Sequence, residues 1–398
     1  MENLLKQAKD LQEDLVKIRR DLHECAETGF ALTQTLALVR GELKKLGYTP
    51  QKCGRAGLIA TVGKGAKCFL LRADMDALKI SEKSGERFAC KNGNMHACGH
   101  DLHTAMLLGA TRLLKANEDK LNGQVKLLFQ PAEEILEGAK NVLNAGVLKN
   151  PKVHAAMALH VATGVELVTG TAVVASGVSA PAADYFAIEV QGKGCHGSTP
   201  WNGIDALTVA ARILLALQEI HARELPLAHS AVLTVGAIEG GKTGNAICDC
   251  ALLHGTLRAF DEGVREKIKM RVKEIAKKIA KAFGAKAKVV YGGGCPTLLN
   301  DKDLSVFALN KARELLGKKS AFSVAELSGG ERAKNGGSED FAYITHEVPS
   351  VMVSLAAGEK GKGYEYPLHH PKVTFDESAL CVGAALYAHI AIEWLQGV

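Results

Sequence analysis

Side chains that bind metals or move protons stand directly after the ends of apolar runs in this chain. The run Cys68 to Arg72 leads into Asp74 and Asp76, Gln124 to Phe129 into Glu133 and Glu134, and Val153 to Leu159 into His160. A late run near Ser350 is followed by a loop carrying His369. Open α/β sheets place their ligand crevice outside the carboxyl ends of their strands. A further cluster, His96-Ala97-Cys98-Gly99-His100-Asp101-Leu102-His103, sits in a loop opening onto a helix, with Cys98 and His100 close enough in sequence to approach one point. Sulfur, imidazole and carboxylate together suit zinc or another first-row ion rather than magnesium or calcium. Cys98, His100, Glu134, His160 and His369 make five candidate donors, more than one tetrahedral ion uses. Two divalent ions sharing a donor, about 3.5 to 4 Å apart, fit better and suit hydrolysis. Glu133, pointing away from its neighbour at a turn, is the candidate general base. It would take a proton from water attacking an amide carbonyl and pass it to the leaving nitrogen.

Taken singly these residues say little. Glu137 reads as a solvated turn residue, and His154, His221, His229, His254, His346 and His389 read as surface or core histidines. Cys98 alone would be a small buried residue. Only the joint placement of five donors points to a metal centre. His103 is expected to hydrogen-bond a metal-bound group rather than bind metal.

The elements that must position these groups alternate. Leu4 to Leu22 has apolar residues at helical spacing, and a second helix covers Gln34 to Leu46. Short strands then alternate with helices at Thr104 to Leu114 and Gly138 to Ala145, the pattern of an α/β fold with a mostly parallel sheet flanked by helices. From Asp184 the order becomes βαββαβ: strands at Tyr185 to Val190, Ala231 to Ile238, Asp249 to Arg258 and Ala287 to Tyr291, with helices at Ile204 to Ala222 and Asp261 to Phe283. That is the order of a ferredoxin-like unit. Small-residue stretches at Ala175 to Ala183 and Gly292 to Gly294 read as linkers, so residues 1–183 and 292–398 form a discontinuous catalytic domain and 184–291 an inserted one. The terminal helix is expected over Glu377 to Leu395.

Composition narrows the class. A chain of 398 residues exceeds one core and predicts two domains. Hydrophobic residues at 47% and charged residues at 23% exclude a disordered chain. The net charge of +6 is dispersed, and aromatics are only 5%, so no nucleic-acid groove is expected. Met1 to Asp10 is charged throughout and lacks a secretory signal, and no uncharged apolar run reaches the roughly 18 residues of a membrane span. A cytoplasmic protein with reduced cysteines and no membrane partner is expected.

Several motifs together resemble the two-metal aminoacylase and exopeptidase family, in its branch of hippurate hydrolases, plant auxin-conjugate hydrolases and bacterial N-acyl-amino-acid amidohydrolases. They are Arg19-Arg20-Asp21-Leu22-His23, Leu71-Arg72-Ala73-Asp74-Met75-Asp76-Ala77-Leu78, Met95 to Thr104, Gln130-Pro131-Ala132-Glu133-Glu134, Ala158-Leu159-His160-Val161, Gly192 to Gly197, Gly337-Ser338-Glu339-Asp340-Phe341 and Pro367-Leu368-His369. The resemblance covers nearly the whole chain. It implies the same five metal ligands and the same base, with zinc or manganese as the ion and cobalt or nickel as further candidates. It also implies that Asp76 steadies a ligand and that the inserted domain is a lid that dimerises. By the same resemblance His196 stabilises the developing oxyanion across a homodimer, and Asn245 and Arg258 bind the substrate carboxylate. Cys25-Ala26-Glu27, Lys79 and Ala162-Thr163 depart from the branch's His-Pro-Glu, proline and Trp-Pro. These departures bear on acyl-group specificity and leave the metal set intact. The expected reaction is hydrolysis of N-acyl amino acids. A dipeptidase or carboxypeptidase on the same centre is the alternative, and a non-enzymatic metal-binding protein a third reading.

Overall fold

The Cys68–Asp74 strand is buried along its whole length, so it reads as a continuous apolar run rather than an alternating one, as strands covered on both faces do. It lies inside an eight-stranded sheet of the computed structural model, which describes residues 4–329 and 337–397. The strand order is Gln51–Cys53, Gly57–Lys64, Gly123–Gln130, Cys68–Asp74, Ala155–Ala162, Ser350–Ala356, Ala172–Val174, Ala321–Ser323. Cys68–Asp74 runs parallel to both neighbours, as do Ala155–Ala162 with Ser350–Ala356 and Ala321–Ser323 with Ala172–Val174. Antiparallel pairs occur on both sides of Gly57–Lys64 and between Ser350–Ala356 and Ala172–Val174. The expected α/β architecture with a mostly parallel sheet is therefore observed. Because Asp74 is in register with Gln130, and Ser354 with His160, the carboxyl ends of neighbouring strands finish side by side.

The helices His100–Ala116, Ala379–Gly397 and Gln12–Glu24 pack on one another, and the first two also pack on Cys68–Asp74. Ala379–Gly397 is long and apolar enough to cross a membrane by length and composition. It serves instead as a core helix: Leu380, Leu386, Ile390, Ile392 and Leu395 are buried, each contributing about 1.5–3 kcal/mol by leaving water. Its Tyr387 hydroxyl donates to Arg72 O at 2.7 Å and accepts from Leu159 N at 2.9 Å, joining two strands. The single helix expected over Leu4 to Leu22 is two, Leu4–Asp10 and Gln12–Glu24. The break comes where Leu11 N bonds Ala8 O, three residues back, a tighter turn than the α-helix uses.

Among the described residues, one compact unit holds 4–179, 299–329 and 339–397, and the other holds 180–298 with 337 and 338. The second unit is an antiparallel sheet ordered Ala231–Gly240, Cys250–Ala259, Ala182–Gln191, Lys286–Cys295. The helices Ala206–Glu219 and Glu262–Ala282 bury Ile213, Leu217, Ile268 and Val272 in one core with Phe186, Ile188, Leu253 and Leu257. Its first strand along the chain begins at Ala182 and its last ends at Cys295, beyond the limits 184 and 291 set by the small-residue stretches. Those small residues are strand rather than linker because the backbones crowd there. A Cβ on Gly294 would fall 2.3 Å from Ala183 O.

Candidate metal centre

At the ends of the parallel strands the chain brings together Asp74, Asp76, Cys98, His100, Glu133, Glu134, His160 and His369, all in the first unit. His160 is placed two residues before the end of its strand rather than after it, because Ala155–Ala162 stays paired to Ser350–Ala356 through Ala162. Cys98 precedes the His100–Ala116 helix, separated from His100 only by Gly99 at φ +85°. A Cβ at Gly99 would sit 2.4 Å from Val161 Cγ2, so glycine alone lets the sulfur and the imidazole turn to one point.

The Cys98 sulfur lies 3.5 Å from His160 Nε2 and 3.2 Å from His369 Nε2. His100 Nδ1 donates to Asp76 O at 2.8 Å and His160 Nδ1 donates to Val161 O at 2.8 Å. Both rings are thereby fixed with Nε2 turned inward. His100 Nε2 stands 3.8 Å from Glu134 Oε1, 4.0 Å from Glu133 Oε2 and 3.7 Å from Asp74 Oδ2, and Glu134 Oε1 is 3.8 Å from His369 Nε2. His100 Nε2 and Glu134 Oε1 are buried without a hydrogen-bond partner among the described residues. A buried polar atom left unpaired costs about 1–3 kcal/mol, and a cation between such donors removes that cost. Among the described residues five groups of donor atoms lie within metal-binding reach, and two of them draw on the five candidate ligands alone: Cys98 with His100 and His160, and Cys98 with Glu134 and His369. Cys98 is common to both.

Charge tells the same story. Burial, then the negative charge of Glu339, raises the Glu133 pKa well above the carboxylate range, and burial raises that of Glu134. Burial works against a charged His100, but Asp74 and Cys98 outweigh it and the net shift is upward. Metal ions bind the deprotonated forms of such ligands and displace their protons. Backbone conformation is also strained here: Ala132 just before Glu133 has φ +58°, and His369 has φ +66°. A left-handed non-glycine residue costs roughly 1–2 kcal/mol, and such strain gathers at functional sites.

His103 is kept out of the donor set. Its Nδ1 donates to Asp74 Oδ1 at 2.6 Å and its Nε2 accepts from Val161 N at 2.9 Å, so both nitrogens are engaged. Sequence reasoning missed a buried ionic network behind the centre. The Arg72 guanidinium reaches Asp74 at 2.6 Å, Glu339 at 2.7 Å, Asp340 at 3.1 Å and Gln130 at 3.0 Å. The available signal was a charged residue inside an otherwise apolar strand.

His196, Asn245 and Arg258 lie in the second unit. His196 is exposed on a two-stranded ribbon opposite Ala246, and Gly197 N bonds Asn245 O at 2.7 Å, so His196 and Asn245 are neighbours. Arg258 is on another strand, where Nη1 donates to Ser338 Oγ at 2.5 Å.

Residues 70–393 match the model of Peptidase family M20/M25/M40. The chain belongs to that family. It is 38% identical over 375 residues to an N-acetyl-L-cysteine deacetylase of Bacillus subtilis (strain 168), covering 93% of this chain and 85% of the relative. It is 34% identical over 403 residues to thermostable carboxypeptidase 2 of Saccharolobus solfataricus, covering 99% and 98%. Among solved structures it resembles a dinuclear metal-binding peptidase of the M20 family from Bacillus subtilis, with TM-score 0.81, 31% identity, and 98% and 100% of the two chains covered. The protein is a hydrolase acting on C–N bonds.

Proposed function

We propose that the protein hydrolyses the amide bond of N-acyl amino acids, releasing a carboxylic acid and a free amino acid. The observation that carries this reading is a cluster of five donors, Cys98, His100, Glu134, His160 and His369, beside a buried glutamate, Glu133, whose Oε2 stands 4.0 Å from His100 Nε2. The similarity to an N-acetyl-L-cysteine deacetylase supports the acyl amino acid as substrate.

Two divalent ions would be held there, one by Cys98, His100 and His160 and the other by Cys98, Glu134 and His369. The sulfur donor favours zinc, with manganese, cobalt and nickel as further candidates. When bound, such ions polarise the carbonyl and make water more acidic. Glu133 takes the proton of the attacking water and delivers it to the departing nitrogen, a double task served by a carboxyl whose burial raises its pKa. The second unit, expected over 184–291 and observed to extend past both limits, is read as an inserted ferredoxin-like lid. His196 steadies the oxyanion from it, and Asn245 and Arg258 receive the substrate carboxylate. The same reading includes a homodimer, or a dimer of dimers, formed through the lid. Ten free cysteines suit the cytoplasm.

The similarity to thermostable carboxypeptidase 2 favours a second reading, cleavage of peptides at the same centre. A panel of N-acetyl and N-benzoyl amino acids against the matching dipeptides, run on a preparation whose metal content is measured, separates the two. Preference for dipeptides would reverse the ranking. Glu133→Ala should keep its metal and lose turnover; an active variant would remove Glu133 from the mechanism.

A further inference from the structure

Behind the metal-binding turn lies a second buried cluster of charged groups. Asp101, the residue after His100, is fully buried, and its Oδ2 accepts from Arg19 Nε at 2.7 Å and from His23 Nδ1 at 2.8 Å. The other nitrogen of His23 reaches the Glu82 carboxylate at 3.1 Å, and that carboxylate also accepts from Cys90 N at 2.9 Å and from the Ser84 hydroxyl. Arg19 Nη1 extends the chain to Glu377 at 3.2 Å. Four segments meet in this way: the Gln12–Glu24 helix, the loop after Cys68–Asp74, the first turn of His100–Ala116, and the approach to the last helix.

Apolar packing would serve stability as well, because buried ion pairs lose in desolvation most of what they gain in attraction. What the cluster supplies is direction. Successive helix residues project about 100° apart, so the first turn is held on two sides, through His100 Nδ1 on Asp76 O and through Asp101 Oδ2 on Arg19 and His23. Rotation of that turn would swing His100 away from Cys98 and Glu134. We infer that Asp101, with His23 and Glu82, is a positioning group that aims Cys98 and His100 at the metal without touching it. This rests on the metal-centre reading above.

The test is cobalt and zinc affinity by chelator competition, together with the near-ultraviolet and visible spectrum of the cobalt-loaded protein. It is run on the full chain well below each variant's melting temperature. Asp101→Asn keeps the shape and removes the charge. It should weaken metal binding by about tenfold, the lower end for outer partners of metal ligands, and alter the sulfur-to-cobalt band. Leu43→Ala, a buried residue of another helix, supplies a protein of comparably lowered melting temperature that should keep wild-type affinity and spectrum. His23→Gln, which loses the donor to Asp101, should behave like Asp101→Asn and carries the test if that variant does not fold. Wild-type affinity and spectrum in both clamp variants would overturn the inference and leave the metal centre standing. A wild-type chain that takes up no metal would remove both.

Discussion

The carboxylate of Asp76 accepts the backbone N–H of Glu133 at 2.9 Å. Its second oxygen accepts that of Glu134 at 3.2 Å, and its own carbonyl accepts from His100 Nδ1 at 2.8 Å. One aspartate thus sets the turn that carries Glu133, the proposed base, and Glu134, a proposed ligand, and the ring of His100, a second proposed ligand. Asp76→Ala strands the buried amide of Glu133, at a cost of about 1–3 kcal/mol, leaves the half-buried amide of Glu134 without its partner, and frees the turn. Its metal affinity should drop by about 10- to 100-fold in chelator competition. Asp76→Asn, which can still accept from one amide, should fall between. Wild-type affinity in Asp76→Ala would mean that the turn holds itself.

His103 and His100 are three residues apart and face the same region, yet their chemistry differs. Burial pushes the His103 pKa down to about 4, so the ring is neutral at pH 7, with Nδ1–H given to Asp74 and Nε2 occupied by Val161 N. His103→Asn, whose side-chain amide can replace the donor to Asp74, should bind the same number of cobalt ions at saturation as wild type. His100→Ala should bind fewer. Loss of one equivalent in His103→Asn would make His103 a ligand.

The candidate site was partly legible in the sequence: Asp74, Glu133, Glu134 and His160 stand at or near the ends of apolar runs, and Cys98 and His100 open a helix. Glu133 and Glu134 after Gly123–Gln130 are the plainest case. What holds the donors was not legible. Arg72 meets Glu339 267 positions away, and Asp101 meets Arg19 82 positions away, and neither pairing follows from periodicity or local spacing. The strand ends at Ala182 and Cys295 were not legible, for a different reason. Gly294 is small because its strand approaches the backbone of Ala183 closely, and small residues look the same in a linker.

Arg72 is fully buried against three carboxylates, those of Asp74, Glu339 and Asp340. Replacing it with methionine preserves volume and leaves the carboxylates uncompensated, a loss of about 3–5 kcal/mol for a broken buried pair. Urea unfolding of the metal-free protein at pH 7 should show it as a lowered midpoint. A midpoint within error of wild type would mean that the acids share protons without help from the guanidinium.

If His196 serves the active site of a partner subunit, two dead proteins should repair each other. Mixing His196→Ala with Glu133→Ala and allowing subunits to exchange creates some sites that have both residues intact, at most about half of those in mixed dimers. Recovered activity on an N-acyl amino acid is the expected result. No recovery despite exchange verified by mass would assign His196 to its own subunit or to no catalytic task.

The His23 imidazole gives the clamp a pH signature. Burial works against its charge, but Asp101 and Glu82 outweigh burial and the net pKa is raised above the ordinary value near 6.5. A raised folded-state pKa means that the folded protein binds a proton the unfolded chain has released. The stability from His23 is therefore complete below about pH 6.5 and disappears as pH rises through the folded-state value. Wild type minus His23→Gln, measured by urea unfolding in chelator, should be greatest near pH 6 and shrink toward pH 9. Subtracting the variant cancels the other titrating groups that it leaves undisturbed. A difference that stays flat over this range, or grows with pH, would show that His23 is neutral in the fold and that Arg19 alone balances Asp101.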